Sequence, residues 1–180
     1  MKTAQALQIN DLKEAFPNMS HVQCDFYAES CVVALENQGH KAGVLLKVEG
    51  DLEAVFTLNW DSVSKRAGWQ EPRDVAENGA IAIAFLIVAQ MTDYQIVQQA
   101  VIGTGFDYWL GVKEGKANFD ADNYLNASLE VSGINKGGRG KISQRIKQRL
   151  QRVGVRSFLN VPGYVVVTEF GEPISIIIEK

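Results

Sequence analysis

Residues 103–111, "GTGFDYWLG", set one carboxylate, Asp107, among Phe106, Tyr108, Trp109 and Leu110, in a run that otherwise has the composition of a buried strand. A carboxylate taken out of water is costly unless it is paired, hydrogen-bonded or bound to a metal. Alternation along a strand puts Phe106, Tyr108 and Leu110 on one face and Asp107 and Trp109 on the other. The turn-forming stretch "KEGKANFDADN" leads to a second strand-like run, "YLNASLEVSG", at 124–133. There Ala127, Leu129 and Val131 share one face, and Ser128, Glu130 and Ser132 share the other. If the two runs pair, Asp107 and Glu130 lie side by side. Like charges in a poorly solvated place repel, and a divalent cation relieves them. Mg²⁺ (or Mn²⁺) suits such a pair, because Mg²⁺ takes a few carboxylate oxygens and keeps several waters.

Two helices flank these strands. In "EPRDVAENGAIAIAFLIVAQMTD", residues 71–93, Pro72 suits the first helical turn, acids gather near the start, and the rest is apolar on nearly every side. Such a helix is buried on most faces. Glu77 shares a face with Ala80, Ile81 and Ala84 and so points towards the sheet, although an acid there also suits the positive end of a helix dipole. In "KISQRIKQRLQRV", residues 141–153, Ile142, Ile146, Leu150 and Val153 recur at helical spacing as a core face. Lys141, Arg145, Arg149 and Arg152 form a basic stripe beside it. From Val131 to Thr168 there is no acid, yet 8 of the chain's 18 Lys and Arg residues fall there, in a chain of net charge -3. Lys136 and Arg139 belong to the same run. Segregation of this kind suits a nucleic-acid partner, although a charge run is more often a solvated helix face that balances acidic neighbours.

The remaining chain is read as a short amphipathic helix ending near Pro17, strands at 26–36, 41–49 and 52–60 joined by the turns "NQGH" and "GD", and two last strands in "GYVVVTEFG" and "ISIIIEK". The expected fold is α/β in one domain over 1–180: a mixed central sheet, a buried helix, a basic amphipathic helix and N-terminal antiparallel strands.

A helix Glu, a strand Asp, then Glu and a polar residue on the next strand, followed by a basic helix, resembles the PD-(D/E)XK phosphodiesterases of restriction-endonuclease-like fold. Glu77, Asp107 in "GFDYWLG", and Glu130 with Ser132 in "LEVSG" carry the resemblance, which spans about residues 71–153. It implies that Asp107 and Glu130 ligate Mg²⁺, that Glu77 supports the site, that the Val131 carbonyl adds an oxygen, and that a metal-bound water attacks a phosphodiester of nucleic acid. The chain departs from the family where Ser132 stands at the lysine position. Lys141, at the start of the basic helix, and Lys113 are the candidate replacements. Without one, the alternative is a non-catalytic interaction module or complex subunit with a degenerate nuclease fold. An enzyme acting on a small phosphorylated ligand is a third reading.

Other signals narrow the field. Cys24 and Cys31 match no zinc pattern and no disulfide framework, and a reducing cytoplasm is the expected location. The most apolar window, "AIAIAFLIVAQM", is short for a bilayer, so no membrane partner is expected; a homodimer or a complex subunit is left open. "SGINKGGRGKIS" fails the Walker pattern, because Ile142 follows Gly140-Lys141 and Asn135 takes the first glycine position. His21 and His40 stand apart from any cluster, and the aromatics of 106–109 are expected in the core rather than stacking on bases.

Overall fold

The computed structural model describes residues 4–16, 18–156 and 161–180. Pro17, and the side chains of Val153 and Arg156 that the basic helix contributes, lie outside the described residues. Eight strands form one mixed sheet: β1 (Gln5–Gln8), β2 (Val44–Gly50), β3 (Ala54–Asn59), β4 (Tyr94–Gln99), β5 (Tyr108–Val112), β6 (Ala127–Ile134), β7 (Gly163–Glu169) and β8 (Ile174–Glu179), in the order β1-β3-β2-β8-β7-β6-β5-β4. Pairs β1–β3, β2–β8 and β6–β7 are parallel and the others antiparallel. Because β8 lies against β2, the first and last thirds of the chain share one sheet. The α/β class with a mixed central sheet is as expected.

Helices α1 (Leu12–Ala15), α2 (His21–Asn37), α3 (Pro72–Met91) and α4 (Gly138–Arg156) complete the fold. The α2 span corrects the strand expected at 26–36. Its buried residues Cys24, Tyr27, Ala28, Cys31, Val32 and Leu35 recur at helical, not alternate, spacing. Ser20 caps it, its side chain accepting from the Gln23 N–H at 3.2 Å, and Ser-x-x-Gln is the start signal of a helix. The amphipathic helix expected at the N-terminus is also corrected. The segment runs as strand β1, a 3₁₀ turn (Ile9–Asp11) and only four helical residues, because β1 adds in parallel to the edge of β3. Strand β4 was not foreseen at all.

Helices α2 and α3 pack together over one face of the sheet and enclose the main core. At 20 residues α3 is long and apolar enough to cross a membrane, but here it is a buried core helix. Helix α4 lies over β7 and β6, where Ile142, with Ile146 and Leu150 beside it, covers Ile134, Val165, Val167 and Ile174. That is the core face expected of this helix.

Gly133 lets the start of α3 approach β6. A Cβ there would stand 2.0 Å from the Ala76 carbonyl oxygen and 2.7 Å from the Glu77 nitrogen, so backbone would have to move. Overpacking of this kind typically costs about 1–3 kcal/mol. Gly133→Ala should therefore lower the unfolding free energy by that order and move the urea midpoint down; an unchanged midpoint would show that α3 does not rest on β6.

Candidate active site

The site forms where the sheet loses a strand. Strand β5 accompanies β6 only as far as the Tyr108–Leu129 pair, with the Asp107 N–H donating to the Leu129 carbonyl at 3.0 Å. Past that point carboxylates take the place of a neighbouring strand. The Val131 N–H donates to Asp107 Oδ2 at 2.7 Å, and the Gly133 N–H donates to Glu77 Oε2 at 2.9 Å. Backbone donors left unpaired inside a protein are expensive, so both acids have a structural task. The close approach at Gly133 is what brings Glu77, from the other layer, to this edge.

Glu130 and Ser132 rise from the same stretch of β6, on the face covered by α4. Glu130 is 2% exposed. Its Oε1 accepts from Arg149 Nη1 at 2.6 Å, and Arg152 Nη1 lies 3.8 Å away. Ser132 is fully buried, and its hydroxyl accepts from Arg145 at 2.5 Å and Arg149 at 3.2 Å while facing both oxygens of Glu77 at 3.3 Å. Arg145 also pairs with Glu77 Oε1 at 2.8 Å. Glu77, Glu130, Ser132 and the three arginines thus form one connected cluster, and Asp107 shares a cavity wall with Glu130. Spacing along α4 explains it: residues 145, 149 and 152 lie on one edge of the helix, beside the apolar stripe that seats it on the sheet.

The stripe expected to face nucleic acid is therefore divided. Arg145, Arg149 and Arg152 turn onto the carboxylates. Arg139 makes a two-pronged pair with Glu49 at 2.7 and 2.8 Å. Lys136 is exposed, and the ammonium of Lys141 donates to the Lys136 carbonyl at 3.1 Å. Among the described residues, Lys141 makes no ion pair with Glu77, Asp107 or Glu130. Lys113 is committed elsewhere: it donates to the carbonyls of Ala89 and Thr92 at 2.7 Å each and closes the end of α3. Positive charge at the Ser132 position comes instead from Arg145 and Arg149, which reasoning from the sequence had placed on the outer stripe.

The glycine-rich loop before α4 holds an acid of its own. Glu169, 1% exposed, accepts from the N–H groups of Gly137, Gly171 and Glu172. A phosphate loop would aim such groups at phosphate; here a carboxylate occupies the Gly137 N–H. Of the aromatics, Tyr108 is buried with its hydroxyl 2.9 Å from that of Tyr27, a core role as expected.

Two cavities open on the cluster. One, of about 240 Å³, runs from the loop at Gln99–Phe106 to Asp107, Glu130 and Arg152. The other, of about 220 Å³, is lined by Arg73, Glu77, Arg145, Gln148, Arg149 and Arg152. No trio of His, Cys, Asp or Glu able to hold a metal occurs among the described residues. The donor set is a pair of hard carboxylates, Asp107 and Glu130, and that fits Mg²⁺, which binds through one or two carboxylates and retains water. Their mutual repulsion is the electrostatic reason a cation suits the place. Burial and then the Asp107 charge push the Glu130 carboxyl up from its ordinary value near 4.5 to about 7, against the pull of Arg149 and Arg152.

Comparison of the chain with protein-family models, curated proteins and solved structures gave no match.

With a native pKa above its ordinary value, Glu130 holds a proton between about pH 4.5 and 7 that the unfolded chain has released. Its contribution to stability is thus complete below pH 4.5 and is lost as pH rises through 7. Carboxyl NMR should find Glu130 titrating near neutrality, lower in Asp107→Asn and higher in Arg149→Gln. No shift in Asp107→Asn would separate the two acids.

Proposed function

We propose that the chain is a degenerate member of the PD-(D/E)XK superfamily, with a restriction-endonuclease-like core, and that it hydrolyses phosphodiester bonds of nucleic acid with Mg²⁺ or Mn²⁺. The observation that carries this reading is that Asp107 and Glu130 line one cavity, with guanidinium groups at Ser132 where the family has lysine. Asp107 and Glu130 would hold the cation. When bound, it lowers the pKa of a water molecule and stabilises charge on the phosphate.

The chain's own groups supply the rest. A guanidinium is no general base, so Arg149 and Arg145 cannot take the water-activating role of a lysine. Their planar donors instead match phosphate oxygens two at a time, which suits them to orient the phosphodiester and hold the charge that develops on it. Glu77 holds Arg145 in place, and Ser132 spans the two guanidiniums.

One observation favours the second reading, a non-catalytic interaction module. Arg149 sits 2.6 Å from Glu130 and competes with any cation for that carboxylate. Asp107→Asn separates the readings cleanly, because an asparagine oxygen can still accept the Val131 N–H while the charge is lost. On single-stranded DNA, duplex DNA and RNA, wild type should cleave at least one substrate only when Mg²⁺ or Mn²⁺ is added. Asp107→Asn should lower that rate by roughly a hundredfold or more, the scale on which one charge-stabilising group acts. A folded wild type with no metal-dependent cleavage of any of the three would overturn the catalytic reading in favour of the module.

A further inference from the structure

The two cavities beside the cluster differ in sign. Four guanidiniums and one carboxylate line the cavity between α3 and α4, whereas Asp107 and Glu130 outnumber Arg152 in the other, and Arg152 belongs to both walls. Arg73, in the first turn of α3, is exposed and makes no ion pair among the described residues, so the arginine-lined cavity has more cations than its own acid needs. Its neighbours Arg145 and Arg149 are part-buried, with side chains 26% and 16% exposed, and each is held by a carboxylate.

We infer that the cavity of Arg73, Arg145, Arg149 and Arg152 is a phosphate subsite, and that a phosphate group entering it exchanges partners with Glu130 and Glu77, so that anion and divalent cation bind interdependently. The inference rests on the proposed metal site at Asp107 and Glu130, and it adds the regulation of that site and the class of ligand, a phosphate group of a nucleic-acid strand. Removing a single partner from a buried ion pair leaves the other charge uncompensated and is strongly unfavourable. A cation that reached Glu130 alone would leave Arg149 with only the more distant Glu77, at 3.9 Å, and a phosphate that reached Arg149 alone would leave Glu130 with only Arg152, at 3.8 Å. Together they give each group a new partner of opposite charge. In the resting protein the arginines therefore close the acidic site, and a strand that brings phosphate opens it.

The test measures Mn²⁺ affinity for the full chain by electron paramagnetic resonance of the free ion, in chloride and in sulfate at equal ionic strength. Sulfate should raise Mn²⁺ affinity about tenfold, and by linkage Mn²⁺ should raise sulfate affinity by the same factor. Arg73→Gln, which leaves every arginine–carboxylate pair in place, should cancel the sulfate effect. Arg149→Gln should raise Mn²⁺ affinity in chloride and lose most of the coupling. A hexathymidylate should replace sulfate in the same role. Tighter coupling with a 5′-phosphate assigns the subsite to strand ends, and equal coupling without it assigns the subsite to internal phosphates. Mn²⁺ binding that is identical in chloride and sulfate would overturn the exchange and leave the proposed metal site standing, as would a sulfate effect that survives Arg73→Gln. Absence of Mn²⁺ binding in every medium would remove the proposed function and this inference with it.

Discussion

A buried carboxylate next to another carboxylate is the constraint around which this half of the molecule is arranged. Glu130 is almost sealed from water, and Asp107, the residue just before β5, lines the same cavity. Neither burial nor that neighbour is tolerable without compensating charge. Compensation comes from α4, whose arginines reach down from the opposite layer. The helix is consequently held to the sheet in two ways: an apolar stripe on Ile134, Val165, Val167 and Ile174, and a row of guanidiniums on the acids. Breaking a buried pair from one side is strongly destabilising, so the Arg149–Glu130 pair adds to the apolar contacts that place α4.

The same acids finish the sheet. Strand β6 outruns β5, and its two N–H groups past Leu129 are accepted by Asp107 and Glu77. A site of this kind is structural and chemical at once. Asp107 offers one oxygen to the backbone, Glu77 spans backbone and arginine, and Glu130 faces the cavity with Arg149 as its resting counter-ion. Truncation to alanine would therefore mix lost capping with lost charge. Amide substitutions, which keep an accepting oxygen, separate the two.

Much of this was legible before the fold was known. The runs that carry Asp107 and Glu130 pair because strand periodicity is strict and the connection between them is local, although β5 begins one residue after Asp107. The buried helix and the apolar stripe of α4 were equally plain, since their periods are long and regular. Helix α2 was not, because Val32, Val33 and Ala34 in a nearly all-apolar centre mimic a strand. The informative signal lay at its end, in Ser20 and Gln23. Strand β4 was obscured by its weak alternation: Ile96 is its one fully buried residue, and glutamines surround it. What α4's arginines face could not be read, because it follows from the parallel pairing of β6 with β7 and the crossing of α4 over both. Those are contacts between distant segments, and no local pattern records them. For the same reason the sequence points to Lys141 and Lys113 as replacements for the missing lysine, whereas the positive charge at Ser132 comes from Arg145 and Arg149.

The central claim is that Asp107 and Glu130 are one cation site, closed at rest by Arg149. Anomalous scattering from crystals grown with Mn²⁺ and a short thymidylate strand tests it most directly. The account predicts a single Mn²⁺ peak bridging Asp107 and Glu130, with the Arg149 guanidinium turned from Glu130 to a phosphate. Crystals that contain the strand, with Arg149 still on Glu130 and no Mn²⁺ between the acids, would contradict it.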